Sequence, residues 1–302
     1  MLLQEPAVTE KLSLYFEEAV RLAKLKKNLS FISVLDTGFN CRAVYRSELS
    51  NQWKSWITIG GNWVNPGFFP EDSSGHGTGI LSILSSNRVG LMGMNPVSHV
   101  LIHKVSGPDA RNLQSNWSKA IVSSVRFFKS VECRGVILLA SGSWGLSREL
   151  ADAIDLAHDN DCIVVTIAHN DNFPSSRFPG KLSLLRGNVI CVGASDRTGN
   201  RLTWPEISKG SNYGDEVSFY IDGEEIPSLG LNGEFTKVSG TSAASAKVAG
   251  VVSLIRHIYP CLTSPEIREI LADCFAQGGD LPSGKSISIV DTEKVFRRII
   301  NL

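Results

Sequence analysis

Short apolar runs that do not alternate with polar residues constrain this chain more than any other feature. Phe31–Leu35, Gly135–Ala140, Ile163–Ala168 and Val189–Ala194 are of this kind, and Val100–Val105, which includes His103 and Lys104, reads as a further strand. A strand with one face in water alternates apolar and polar side chains. A run without alternation buries both faces, as strands of a parallel sheet do when helices cover it on both sides. Segments with helical patterning lie between and around these runs. Residues 9–27 place Leu12, Phe16, Val20 and Ala23 on one face, with Lys24, Lys26 and Lys27 at the end where a helix dipole favours cations. Further helices are expected over 117–128 and 150–158, after Ser242, and near 264–275 and 291–301. The alternation predicts a three-layer α/β/α architecture with a mostly parallel central sheet. Residues 41–72 and 196–237 read as irregular, with 222–236 a surface hairpin or loop.

The chain has 302 residues and 42% hydrophobic content, enough for one large core. We expect one domain over 1–302, with 1–29 a helical extension packed on the body. Thirty basic and thirty acidic residues cancel, so neither nucleic acid nor an anionic membrane is expected as the main partner. No apolar run reaches the roughly 18 residues of a membrane span. Met1–Pro6 lacks the apolar core and basic lead of a signal peptide. Cys41, Cys133, Cys162, Cys191, Cys261 and Cys274 form no CxxC pair. Cys162 and Cys191 adjoin apolar runs and read as small buried side chains. The expectation is a cytoplasmic protein with reduced thiols.

Three potentially reactive groups stand where elements begin or end. Asp36 closes an apolar run and precedes Thr37-Gly38. His76 stands between Gly75 and Gly77 at the start of a helical segment. Ser242 follows Gly240-Thr241 and opens a helix rich in Ala243, Ala244, Ala246 and Ala249. Backbone N–H groups in the first turn of a helix lack intrahelical partners, and the helix dipole adds positive charge there. Both would stabilise an oxyanion beside Ser242. By itself this stretch describes an N-capped core helix equally well. A histidine base and a buried carboxylate that orients it can activate a serine hydroxyl. The functional reading therefore rests on the three together.

In combination these motifs resemble the subtilisin-like serine proteases, or subtilases. The order Asp, His, Ser is the one found in subtilisin itself. Asp36-Thr37-Gly38, His76-Gly77-Thr78 and Gly240-Thr241-Ser242-Ala243-Ala244 with Val248-Ala249-Gly250 are similar to that family's three motifs. Ala168-His169-Asn170 is similar to the stretch bearing its oxyanion asparagine. Gly93–Pro96 with Lys104-Val105, and Ser211–Gly214, fit the same pattern. The resemblance covers residues 30–300. It implies a subtilisin-like fold and a serine endopeptidase: Ser242 as nucleophile, His76 as base, Asp36 orienting His76, and Asn170 in the oxyanion hole. It also implies substrate binding by Ser141, Gly142, Ser143, Ala168 and His169, the strand end pairing with an extended protein or peptide substrate.

The chain departs from the pattern at Ala246, Lys247, Gly79, Ala140 and His169, where the family has Pro, His, His, Ser and Gly. His169 and Ala140 adjoin the expected primary specificity pocket, and Lys247 reads as a solvated side chain. Secreted subtilases carry a folding prosegment, whereas 35 residues precede Asp36. The expectation is an intracellular form controlled by other means, such as a protein partner. No cofactor is expected; structural calcium is known in the family, but the sequence offers no ligand string for it. His99 and His103, on a strand and outside any HExxH pattern, are not expected to bind metal.

Two other motifs point elsewhere. Asp36-Thr37-Gly38 is also the aspartic-protease tripeptide, but that chemistry needs two carboxylates sharing a proton and the sequence has no second copy. Gly279–Ser286 matches the phosphate-loop pattern, which needs a strand before and a helix after it. The expectation here is a preceding helix, a following strand at 286–290 and a surface loop between them. Two further readings accompany peptide hydrolysis: a peptide ligase or macrocyclase on the same fold, and a catalytically silent binding module.

Overall fold

The computed structural model describes residues 14–26, 28–40, 56–88, 90–107 and 113–302. Cys41, Leu12, Lys27 and the Met1–Pro6 segment lie outside them. The strands of the main sheet are β1 (Phe31–Asp36), β2 (Ile57–Asn62), β3 (His99–Lys104), β4 (Val136–Leu139), β5 (Ile163–Ile167), β6 (Val189–Ser195) and β7 (Phe219–Asp222). After β7 comes the separate antiparallel hairpin β8 (Ile226–Leu229) and β9 (Phe235–Val238). β10 (Phe275–Asp280) and β11 (Ser286–Val290) complete the main sheet, whose order is β10-β11-β7-β6-β5-β4-β1-β3-β2. Every neighbouring pair in it is parallel except β10–β11.

The unalternating runs behave as their composition requires. β1, β4, β5 and β6 are buried at every position. Successive side chains still point to opposite faces. Ile32, Val34, Val136, Leu138, Val165 and Ile190 join one core, while Phe31, Leu35, Ile137, Leu139 and Val164 join the other.

Helices cover both faces. α3 (Gln114–Ser130) and α4 (Arg148–Asp159) pack on one side, around Trp117, Phe128 and Ile154. The other side holds α1 (Leu14–Lys26), α2 (His76–Ser85), α5 (Thr241–Ile258), α6 (Ser264–Ala272) and α7 (Thr292–Ile299). α1 lies against the body: Phe16 and Phe296 have ring centroids 5.0 Å apart, and just beyond it Asn28 Nδ2 donates to the His257 carbonyl.

Some expectations change. The stretch taken as irregular over 41–72 contains β2, whose Gly-rich, partly exposed sequence hides its strand character at the sheet edge. β7 emerges from the 196–237 region because Phe219-Tyr220-Ile221 pairs with β6, a long-range partner that local sequence does not reveal. The helix expected near 264–275 stops at Ala272, and β10 begins at Phe275. The phosphate-loop pattern therefore sits at the tip of an antiparallel hairpin, preceded by a strand rather than a helix, with a strand after it instead of the helix that motif requires.

The topology marks one end of the sheet. From β1 the chain moves to one side through β2 and β3, then crosses to β4 on the other side of β1. The carboxyl end of β1 is thus a switch point, where α/β sheets open a crevice. Asp36 is its last residue.

Candidate active site

Asp36 is 3% exposed. Its Oδ1 accepts from the Thr37 backbone N–H at 2.7 Å and lies 2.7 Å from His76 Nδ1. Its Oδ2 is buried with no partner among the described residues. Beside it in register on β3 stands Lys104, whose Nζ donates to the Thr37 and Glu71 carbonyls at 2.7 Å each. Burial lowers the Lys104 pKa more than the nearby Asp72, Glu71 and Asp36 raise it.

His76 opens α2 at a junction only glycine can form. Gly75 has φ +87°, and a Cβ on Gly77 would lie 2.3 Å from the Gly38 carbonyl oxygen. The helix start is clasped by Asp72, a residue the sequence reading passed over. Asp72 Oδ1 accepts from the Thr37 hydroxyl and the Ser74 and Gly75 N–H groups; Oδ2 accepts from the Thr78 N–H and hydroxyl. Burial pushes the Asp72 pKa up, but the hydrogen bonds from Thr78, Thr37 and Gly75 together hold it below the usual carboxylate value. The available signal was an acidic side chain just ahead of a glycine-flanked helix start. His76 is raised above its ordinary pKa because attraction to Asp36 outweighs burial.

Ser242 lies in the first turn of α5, a helix buried along its whole length except at Lys247. Gly240 (φ +120°) turns the chain into it, and Thr241 N–H donates to Asn170 Oδ1 at 3.0 Å. Asn170 is therefore held against the start of the serine helix. Ser242 and His76 stand at the same end of two packed helices running in the same sense. A Cβ on Gly250 would lie 3.2 Å from the Leu84 carbonyl oxygen, and one on Gly79 would lie 3.3 Å from Val238, just before α5. Gly250 follows Ser242 by the same eight positions by which Leu84 follows His76, about 12 Å along each helix. Ser242 Oγ makes no hydrogen bond to another described residue; in unliganded sites such bonds are often long and tighten with substrate.

The remaining expected residues line the neighbouring strand ends. Ala168, buried, follows β5, and His169 has φ +81°, a conformation glycine adopts far more easily. Its Nε2 is buried and unpartnered among the described residues, and burial, aided by the Arg177 charge, lowers its pKa to about 4. The imidazole abuts Gly142, where an added Cβ would lie 2.3 Å from Nε2. Asn212 holds the segment after Asn170, accepting from the Asp171 and Phe173 N–H groups and donating to the Ser175 carbonyl.

Ser141, Gly142 and Ser143 follow β4, but they are not equivalent. Ser143 commits its backbone N–H and C=O to Phe178, both at 2.9 Å, so it has no main-chain pair left for a substrate strand. Strand alternation turns the Gly142 groups to the opposite edge. Lys247, expected to be solvated, is 12% exposed and lies 3.4 Å from Asp222 Oδ2, because α5 packs beside the end of β7. No group of three or more His, Cys, Asp or Glu arranged to hold a metal occurs among the described residues, and no described helix is long and apolar enough to cross a membrane.

A buried carboxylate paired with a part-exposed histidine at a switch point, and a serine at a helix start on the same side, are an arrangement suited to serine-hydrolase chemistry. The model of the Subtilase family matches residues 27–283, and the chain belongs to that family. It is similar to subtilisin DY of Bacillus licheniformis, 27% identical over 82% of this chain and 84% of that protein. Subtilisin BL of Lederbergia lenta is 25% identical over 80% of this chain and 81% of its own length. Among solved structures, that of a cold-adapted subtilisin-like serine proteinase superposes with a TM-score of 0.71 at 20% identity, covering 86% of this chain and 87% of the other. The activity is that of a serine endopeptidase.

Proposed function

We propose that Ser242 is the nucleophile, His76 its general base and Asp36 the group that orients His76. The carrying observation is the 2.7 Å contact between His76 Nδ1 and buried Asp36 Oδ1. With Nδ1–H donated to Asp36, Nε2 carries the lone pair that takes the Ser242 proton as the hydroxyl attacks a peptide carbonyl. The resulting imidazolium is stabilised by Asp36 and returns the proton to the leaving amine. The Asn170 amide and the Ser242 backbone N–H hold the oxyanion, with the α5 dipole assisting. Thr241 N–H occupies Asn170 Oδ1, which leaves the Nδ2 donors for the substrate oxygen. Water then resolves the acyl-enzyme. The Gly142 main chain pairs with the extended substrate, and Ser141, Ala168 and His169 shape the walls beside it.

The same reading extends to the setting: a cytoplasmic enzyme without a cofactor, cleaving peptides or proteins under the control of a protein partner. Free thiols at Cys133, Cys162, Cys191, Cys261 and Cys274 suit reducing surroundings. The test is fluorophosphonate labelling read by mass spectrometry. One adduct is expected, on Ser242, and Ser242→Ala abolishes it together with cleavage of a peptide library. Each cleavage adds one water to the product mass. A folded wild-type protein that takes no label, or takes it elsewhere, overturns the assignment; products lacking the added water point to ligation.

A further inference from the structure

Beside Asn170 the surface opens into a cleft of about 460 Å³ lined by His169, Asn170, Asp171, Arg177, Trp204 and Lys209 among others. On its inner side the His169 imidazole fills the space against Gly142, so a bulky apolar side chain finds no room between these two segments. The free volume lies on the Asn170–Arg177 side, where the basic Arg177 and Lys209 and the acidic Asp171 stand among the apolar surfaces of Trp204 and Ile207. Arg177 is stacked over Trp144, 4.7 Å from ring centroid to guanidinium carbon, which holds its side chain in one place. It shares Asp171 with Lys209: the Arg177 nitrogen is 2.7 Å and the Lys209 nitrogen 3.8 Å from that carboxylate. Two cations thus face a single anion. Arg177 Nε and His169 Nε2 are each buried without a partner among the described residues. Of the five guanidinium N–H donors of Arg177, those on Nη2 are given to Asp171 among the described residues, so donors remain for a carboxylate. A neutral or basic substrate side chain would leave the excess positive charge unanswered; a carboxylate would meet it.

We propose that this cleft receives an acidic side chain of the substrate, from a residue adjoining the scissile bond. The proposal rests on the assignment of Ser242 and Asn170 given above, because nearness to Asn170 is what puts the cleft beside the reacting carbonyl. Arg177 binds the carboxylate by charge-assisted hydrogen bonds, Lys209 adds to the field, and His169 limits the depth of entry.

The test uses internally quenched peptides in which each of the two residues flanking the cut is varied between Glu and its neutral isostere Gln. Rates are normalised to the fraction of enzyme labelled by fluorophosphonate, so misfolded protein does not count. At one of the two positions kcat/KM for Glu should exceed that for Gln by about tenfold or more, the size expected of a hydrogen bond to a charged group. Arg177→Gln should bring that ratio close to one. Asp171→Asn, which removes the competing carboxylate, should raise it. Labelled enzyme with a ratio near one at both positions, or a ratio that survives Arg177→Gln, overturns the acidic-residue proposal and leaves the nucleophile assignment standing. Protein that takes no label on Ser242 overturns both.

Discussion

Asp72→Asn should loosen the start of the histidine helix. The side chain is 1% exposed, and both oxygens act only as acceptors. Asparagine has the same size but turns one oxygen into an NH₂ donor. In one orientation that donor faces the Thr78 N–H; in the other it faces the N–H groups of Ser74 and Gly75. Either way at least one buried backbone N–H loses its acceptor, at about 1–3 kcal/mol. Loss of the negative charge at the helix N-terminus adds roughly 0.3–1 kcal/mol. The total is about 3 kcal/mol, or roughly 5 °C in Tm for a domain of this size. His76 is the first residue of that helix, and a misplacement of about 1 Å can cost on the order of 10² in rate. Differential scanning calorimetry and kcat/KM on a peptide substrate read the two effects.

The pH dependence gives a second check. The Asp72 pKa is held below the ordinary carboxylate value, so its contribution is full at neutral pH. It fades as pH falls from about 4 through the lower folded-state value. The gap between wild type and variant should close over that range. A Tm change under about 2 °C with unchanged kcat/KM would refute the claim that Asp72 anchors the site.

Two other substitutions probe neighbouring contacts. Asp36→Asn should lower kcat on the order of 10⁴ by stabilising the wrong His76 tautomer. In the wild type the acid limb of kcat/KM should lie above the ordinary histidine value of about 6.5, because Asp36 raises His76, and the variant should shift that limb downward. A pH–rate profile that keeps its acid limb in the variant would count against the pairing. Gly142→Ala should destabilise by about 1–3 kcal/mol, because its Cβ would come within 2.3 Å of His169 Nε2. His169→Gly should relieve part of that loss, the Phe178 carbonyl oxygen at 2.9 Å from the added Cβ keeping the rest, and equal melting penalties in both backgrounds would show that the two residues do not press on each other.

Much of this was legible along the chain. The apolar runs at 31–35, 163–168 and 189–194 became central strands within a residue or two, because burial on both faces leaves a local signature. The glycines around His76 and Ser242 were equally readable, since close backbone approach tolerates nothing larger. β2 and β7 were not: one is an edge strand rich in glycine, the other short and defined by its partner. Asp72 escaped notice because its importance lies in how many donors converge on it. Lys247 looked solvated until α5 was seen to bring it beside Asp222.

The sequence by itself determined the layered α/β class and the family motifs, and it named the candidate groups for acyl-transfer chemistry. Periodicity and glycine placement are local properties, carried by neighbouring residues whatever the rest of the chain does. Only the tertiary structure decided that Asp36 meets His76 across 40 positions, that Asn170 caps the approach to Ser242, and that His169, Arg177 and Lys209 border one cleft. Those relations depend on which strands become neighbours and on the register of two packed helices, and both are set by burial of the whole core rather than by any segment alone.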